Sequence, residues 1–319
     1  MLPPGRRRLT KGRYEQTMEK ALRNRLTFGP LMLGGLFLLL WLDSFIQFRT
    51  AGRYGLPSGL QGVGLLVLLI LVMPLATGEL AVLFTAERVR PYRVLSAFGS
   101  GALALHAFLT QFSFFKVVAA STLAFIVVFV MILAALRRAW DRQTEDAIHR
   151  MAGTVLATLY LGGLGWFLMA IRVKQSAQFV GSTGMILMIL VVVKSTDIGA
   201  YFGGRALGRH KLIPWLSPGK TWEGLICGVL FCGAVGAIIS QHLYKMQIHW
   251  FKGFIISMTI GAIGQAGDLL ESMMKRDAEV KDSGRLIPGF GGVLDVIDSP
   301  LLAAPFAYLM FSFCTHSTL

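Results

Sequence analysis

Three polar segments interrupt the apolar runs in the second half of this chain, and each carries residue types suited to phosphate or metal chemistry. They are Lys194-Ser195-Thr196-Asp197-Ile198-Gly199-Ala200-Tyr201, Ser217-Pro218-Gly219-Lys220-Thr221-Trp222-Glu223-Gly224, and the stretch from Gly267 to Ser299. In the last, Asp295 and Asp298 are three apart, so a helix puts both carboxylates on one face. Asp268, at the end of a different apolar run, can meet them in a folded bundle. Oxygen-only ligands of this kind suit Mg²⁺, which takes one or two carboxylates and leaves its other positions to water and substrate phosphates. Lys275, Arg276 and Lys281 lie beside them as clamps for phosphate charge. A solvated loop with capping carboxylates is the plainer reading, and the placement of charge and glycine argues against it.

The second segment ends in Gly219-Lys220-Thr221 and invites comparison with a phosphate loop, but the spacing fails. The glycine required five residues before the Gly-Lys pair is Pro214, and no strand is expected before it. What remains is a Pro-Gly turn feeding a helix start, where Ser217, Thr221, backbone amides and Lys220 can hold an anion. A capped helix start with a snorkelling lysine is the alternative. In the first segment, Lys194 and Asp197 stand at i, i+3 within an apolar run. They either neutralise each other on one helix face or face a wet cavity.

The elements that position these residues must be membrane spans. The chain has 319 residues, 54% hydrophobic and only 15% charged, with a net charge of +14 and a mean hydropathy of +0.62. Soluble domains carry about 25% charged residues, so both a soluble globule and a disordered chain are excluded. Cys227, Cys232 and Cys314 form no CxxC pair, which leaves zinc and redox chemistry without support. At about 20 apolar residues per crossing, nine spans are expected, near residues 28–48, 60–84, 94–115, 117–136, 151–171, 179–202, 221–241, 250–270 and 300–314. The fold class is therefore an all-α polytopic membrane protein. Alternate loops hold 23 basic residues on one side, eight of them before Phe28, against seven on the other, Arg172 among the seven. That asymmetry predicts a cytoplasmic N-terminus. It also assigns the basic surplus to orientation and anionic bilayer lipids rather than nucleic acid. Three regions follow: a basic tail over 1–27, helices over 28–171, and a catalytic region over 172–319. Asp43 and Glu79 fall near span ends, where water or an arginine is expected to solvate them.

The third segment resembles the phosphatidate cytidylyltransferase (CDP-diacylglycerol synthase) family. Ser272, Lys275, Arg276, Lys281, Asp282, Gly284, Pro288, Gly289, Gly291, Gly292, Asp295 and Asp298 fall on that family's signature, and the first two segments look like its preceding blocks. The pattern departs at Phe290, where the family has His, and at Val296, where it has Arg; Arg285 or Arg205 is the candidate substitute for the lost guanidinium. The resemblance implies transfer of CMP from CTP to phosphatidic acid, giving CDP-diacylglycerol and pyrophosphate, at a site facing the cytoplasm of the inner membrane. It implies Mg²⁺ as cofactor, with an accompanying monovalent cation and a homodimer left open. Asp268, Asp295 and Asp298 are then the expected metal ligands. Asp268, Asp295, Lys275, Arg276 and Lys281 are the expected catalytic residues, and Asp197, Ser217, Lys220, Thr221, Ser272, Asp282 and Arg285 the expected substrate contacts. Two alternatives stay open: a CTP-dependent enzyme acting on another membrane lipid, such as a lipid-alcohol kinase or ether-lipid cytidylyltransferase, and an impaired, lipid-binding family member.

Overall fold

Backbone amides in hydrocarbon must find partners within their own segment, and the apolar runs accordingly form helices. The computed structural model describes residues 11–86, 88–173, 182–242 and 248–316. In chain order these hold α1 (Lys11–Thr50), α2 (Val63–Ala86), α3 (Arg93–Leu109), the one-turn α4 (Ser113–Lys116), α5 (Ala119–Trp140) and α6 (Ala147–Thr158). A π turn (Leu159–Gly163) joins α6 to α7 (Leu164–Val173), and α8 (Ser182–Leu207) follows. The strands β1 (Lys211–Ile213) and β2 (Ser217–Thr221) then lead into α9 (Trp222–His242), α10 (Trp250–Asp277) and α11 (Leu294–His316). Eight described stretches are long and apolar enough to cross a membrane, with α6, the π turn and α7 counting as one. The remaining expected span corresponds to α3, an apolar helix of 17 residues. The protein is an all-α polytopic integral membrane protein. Large side chains on α1 and α5, such as Phe37, Trp41, Phe125 and Phe129, face outward, as a lipid-facing surface requires.

Helices in lipid gain little from apolar burial and pack instead through small residues that let backbones approach. A methyl group at Gly203 of α8 would stand 2.3 Å from Cβ of Cys227 on α9, and one at Gly228 of α9 would stand 2.6 Å from the Thr196 carbonyl oxygen. Gly236 of α9 and Gly253 of α10 receive Ser257 and Ser240 in the same way. This seam locks α8, α9 and α10 together, and α11 packs on the free side of α10.

Asp43 meets an arginine, one of its two expected partners, rather than water, and that residue, Arg172, does not sit in a loop. Both side chains have no solvent exposure, and Arg172 Nε lies 2.8 Å from Asp43 Oδ2. Arg172 also donates to Ser182 Oγ at 2.7 Å and to Gln47 Oε1 at 3.1 Å, while the Gly64 amide donates to Asp43 Oδ1 at 3.3 Å. A charge without water needs a partner and a filled hydrogen-bonding shell, and this pair supplies both while bracing α1 against α7. Of the other basic residues in the orientation count, Arg6, Arg7, Arg8, Lys174 and Lys245 lie outside the described residues.

Candidate active site

One face of α10 is polar. Gln265, Asp268, Glu271, Ser272 and Lys275 recur at three- and four-residue intervals, which stacks them along one side of a helix. At one end Gln265 Nε2 donates to Asp197 Oδ1 of α8 at 2.6 Å, and Gln265 Oε1 accepts from Lys220 Nζ at 3.0 Å. Lys220 Nζ in turn stands 2.5 Å from Asp268 Oδ2. Lys194 reaches Asp197 at 3.5 Å, so the expected i, i+3 pair forms and Asp197 joins the site as well.

Lys220 is delivered by the β1–β2 hairpin. Ser217–Thr221 is a strand rather than a turn, and the helix start it feeds is capped by Thr221 Oγ1, which accepts from the Gly224 amide at 3.1 Å. Glu223 ties down the hairpin's entry, accepting from His210 Nδ1 at 2.6 Å and from the Arg209 amide at 3.1 Å. A cavity of about 460 Å³ opens beside Lys220, lined by Asp197, Tyr201, Arg205, Thr221 and Gln265 among others.

Further along α10, Asp268 and Asp298 come together as expected, but their third companion is Glu271. One oxygen from each of the three lies within 4.8 Å of the others. Glu271 and Asp298 are buried, and Glu271 Oε1 has no hydrogen-bond partner among the described residues. Asp295 does not join this trio. Its Oδ1 lies 2.8 Å from Lys275 Nζ, and its Oδ2 accepts from the amides of Gly292 at 2.7 Å and Ser283 at 3.2 Å. Lys275 also reaches Glu271 Oε2 at 3.1 Å, so a single ammonium bridges the two carboxylates. Tyr160, in the π turn, has a buried hydroxyl without a hydrogen-bond partner among the described residues and lies within electrostatic reach of Asp298 and Glu271.

The other expected residues lie around this core. Arg276 Nε donates to the Leu216 carbonyl at 3.5 Å, linking α10 to the hairpin. Ser217 and Ser272 are half-buried, whereas Lys281, Asp282 and Arg285 are exposed in the loop between α10 and α11. That loop turns at Gly289 (φ +87°) and Gly291 (φ +102°), backbone conformations that disfavour any residue with a Cβ. A Cβ at Gly291 would also strike Asp295 Oδ2. Between them, the Phe290 ring tip rests 3.4 Å from where a Cβ of Gly29 on α1 would stand. The residue replacing the family histidine therefore packs against the first helix. Of the two arginines proposed to replace the one missing at Val296, Arg205 lines the cavity and Arg285 lies in the exposed loop.

Three residues escaped the reading of the sequence. Gln265 and Glu271 were legible as members of the α10 polar stripe. Glu79 was expected to be solvated, yet it accepts from the Val293 amide at 3.0 Å, the Leu294 amide at 2.8 Å and Ser283 Oγ at 3.2 Å. Two backbone amides and a serine hydroxyl replace the water or arginine it was expected to meet.

Comparison with known proteins gives the class first: this is a membrane-embedded nucleotidyltransferase. The model of the cytidylyltransferase family matches residues 58–314, and the chain belongs to that family. It is similar to a phosphatidate cytidylyltransferase of Bacillus subtilis (strain 168), with 36% identity over 253 residues that span 78% of this chain and 90% of the relative. A phosphatidate cytidylyltransferase of Haemophilus influenzae is 48% identical over 132 residues, 40% of this chain and 46% of that one. YnbB of Escherichia coli (strain K12), described as uncharacterized, is 35% identical over 164 residues, 51% and 53% of the two chains.

Proposed function

We propose that the protein transfers CMP from CTP to phosphatidic acid, releasing pyrophosphate and leaving CDP-diacylglycerol in the bilayer. The observation that carries this reading is the continuous line of charge on α10, which runs from a nucleotide-sized cavity through Lys220 to three clustered carboxylates. The CTP site is the cavity beside Lys220, and the lipid phosphate approaches from the membrane side. The basic residues crowded at one set of helix ends support a cytoplasmic site in the inner membrane, with the N-terminus on the same side.

The carboxylates fit Mg²⁺: three hard oxygen donors converge within 4.8 Å, and the buried Glu271 Oε1 has no hydrogen-bond partner among the described residues. Asp268, Glu271 and Asp298 are the assigned ligands, and bound Mg²⁺ supplies charge neutralisation at the phosphate oxygens. Asp295 becomes the residue that aims Lys275. Lys220 enters the cavity wall already paired with Asp268, so an arriving triphosphate competes for a preformed ammonium. Lys275 stands on the far side of the cluster, and Arg276 and Lys281 flank it toward the loop. The attacking group is an ionised phosphate oxygen, so no general base is needed and Phe290 in place of histidine removes no proton acceptor. Catalysis then consists of positioning and charge neutralisation.

The test is incubation of detergent-solubilised protein with phosphatidic acid and CTP labelled at the α-phosphate, with and without Mg²⁺. Labelled CDP-diacylglycerol and free pyrophosphate are expected only with Mg²⁺. Release of CDP would identify a lipid kinase instead, and label on a different lipid alone would identify another acceptor. No labelled lipid under any of these conditions would sink the enzyme reading.

A further inference from the structure

We infer that Glu79 is a positioning residue that pins the loop between α10 and α11, and the start of α11, to α2. The inference rests on the proposed cytidylyltransferase reading only for its effect on turnover. A helix start leaves its first amides without intrahelical partners. At α11 two carboxylates share them. Asp295 accepts from Gly292, and Glu79, distant by 215 residues from Leu294, accepts from Val293 and Leu294. Negative charge at this end of a helix is also favoured by the helix dipole.

The same two carboxylates meet again at Ser283. Its hydroxyl donates to Glu79 Oε2 at 3.2 Å and its amide to Asp295 Oδ2 at 3.2 Å. The result is a closed ring running from Glu79 through Ser283 and Asp295 to the amides of 292–294 and back. Small residues make the approach feasible: a Cβ at Gly284 would stand 2.3 Å from Glu79 Oε1, and one at Gly292 2.4 Å from Oε2. Glu79 does not line the cavity. It acts through α11, because Asp295 and Asp298 follow Leu294 on the first turns of that helix. If the helix start slips, Asp295 loses its hold on Lys275 and Asp298 loses its aim at Glu271.

The experiment uses the full chain in detergent and compares wild type, Glu79→Gln and Ser283→Ala. Glutamine keeps the length of the side chain but turns an NH₂ group toward backbone donors. Amide hydrogen exchange followed by mass spectrometry should then show the 281–296 peptide exchanging at least about tenfold faster in Glu79→Gln, with peptides from α5, α8 and α9 unchanged. Ser283→Ala, which loses one contact, should give a smaller acceleration confined to the same peptide. In turnover assays Glu79→Gln should lower kcat and raise the Mg²⁺ concentration for half-maximal rate, with the KM for CTP within about twofold of wild type, because the cavity walls are untouched. Unchanged exchange at 281–296 in both variants would overturn the inference. So would faster exchange in every helix with kcat unchanged per folded molecule, which marks a general structural role. If wild type makes no CDP-diacylglycerol, the proposed function fails while the exchange data still decide the role of Glu79.

Discussion

Asp298→Asn should make the metal-free protein more stable while removing its response to Mg²⁺. Asp298 and Glu271 are both buried, at 3% and 1% exposure, and an oxygen of each lies within 4.8 Å of the other. Coulomb's law at an effective dielectric of about 20 puts their repulsion at roughly 3.5 kcal/mol. Asp268 adds less, because its side chain is 38% exposed and water screens it. Asparagine keeps an oxygen to accept from the Ser299 amide, which donates to Asp298 Oδ1 at 2.6 Å, so the substitution removes charge and little else. Lys275, 3.1 Å from Glu271 Oε2, already relieves part of the repulsion, which leaves a gain of about 1–3 kcal/mol and a rise in Tm of about 2–8 °C in EDTA. Wild type should gain about 2.7 kcal/mol from Mg²⁺ at a hundredfold excess over its Kd, whereas the variant should gain almost nothing and lose at least about 100-fold in rate. Thermal unfolding in EDTA and in Mg²⁺, with lipid product assayed in parallel, measures all three. A lower Tm for the variant than for wild type in EDTA, or a Mg²⁺ gain in the variant as large as that of wild type, would refute the assignment. Stability given up at a site that needs concentrated like charge is a recurrent trade in enzymes.

The opposite sign is expected for Lys275→Met. It leaves Glu271 and Asp295 without the ammonium they share, so the Tm should fall by an amount equivalent to about 3–5 kcal/mol and product formation should cease; a stable, active variant would contradict the bridging geometry. Arg172→Met strands Asp43 without solvent and should cost a similar 3–5 kcal/mol, with folded yield and Tm as readouts. Adding Asp43→Asn should recover part of that loss, and the rate per folded molecule should stay near wild type because the pair lies apart from the carboxylate cluster. Independent, additive losses in the double variant would show that the two side chains do not depend on each other.

Much of the fold was legible because apolar length alone specifies a membrane helix. Eight of nine expected spans have counterparts of sufficient length, and the ninth, at α3, is a shorter apolar helix. Residues close in sequence were legible too: Asp268 through Asp298 read as a site because their chemistry repeats within one loop and two helix ends. Contacts made across the chain were not. Asp43 and Arg172 are 129 residues apart, and Glu79 and Leu294 are 215 apart. Local spacing announces neither which arginine meets Asp43 nor that backbone amides meet Glu79.

The choice between Asp295 and Glu271 as ligand turns on helix register, which lies between these two cases. Spacing alone puts Asp295 and Asp298 on one face of α11, separated by about 4.5 Å along its axis. On α10, Glu271 and Lys275 are one turn apart on the polar face. The observed pairings run in opposite directions along the two helices: Glu271 faces Asp298, and four residues later Lys275 faces Asp295 three residues earlier. An antiparallel pair in this register sets acid against acid at one level and base against acid at the next. The first level repels itself and attracts a cation, and the second is self-neutralised. A slip of one turn would bring Asp298 to Lys275 and dissolve the carboxylate trio, so the register itself is part of the site. Glu79, by fixing where α11 begins, is the residue placed to set it.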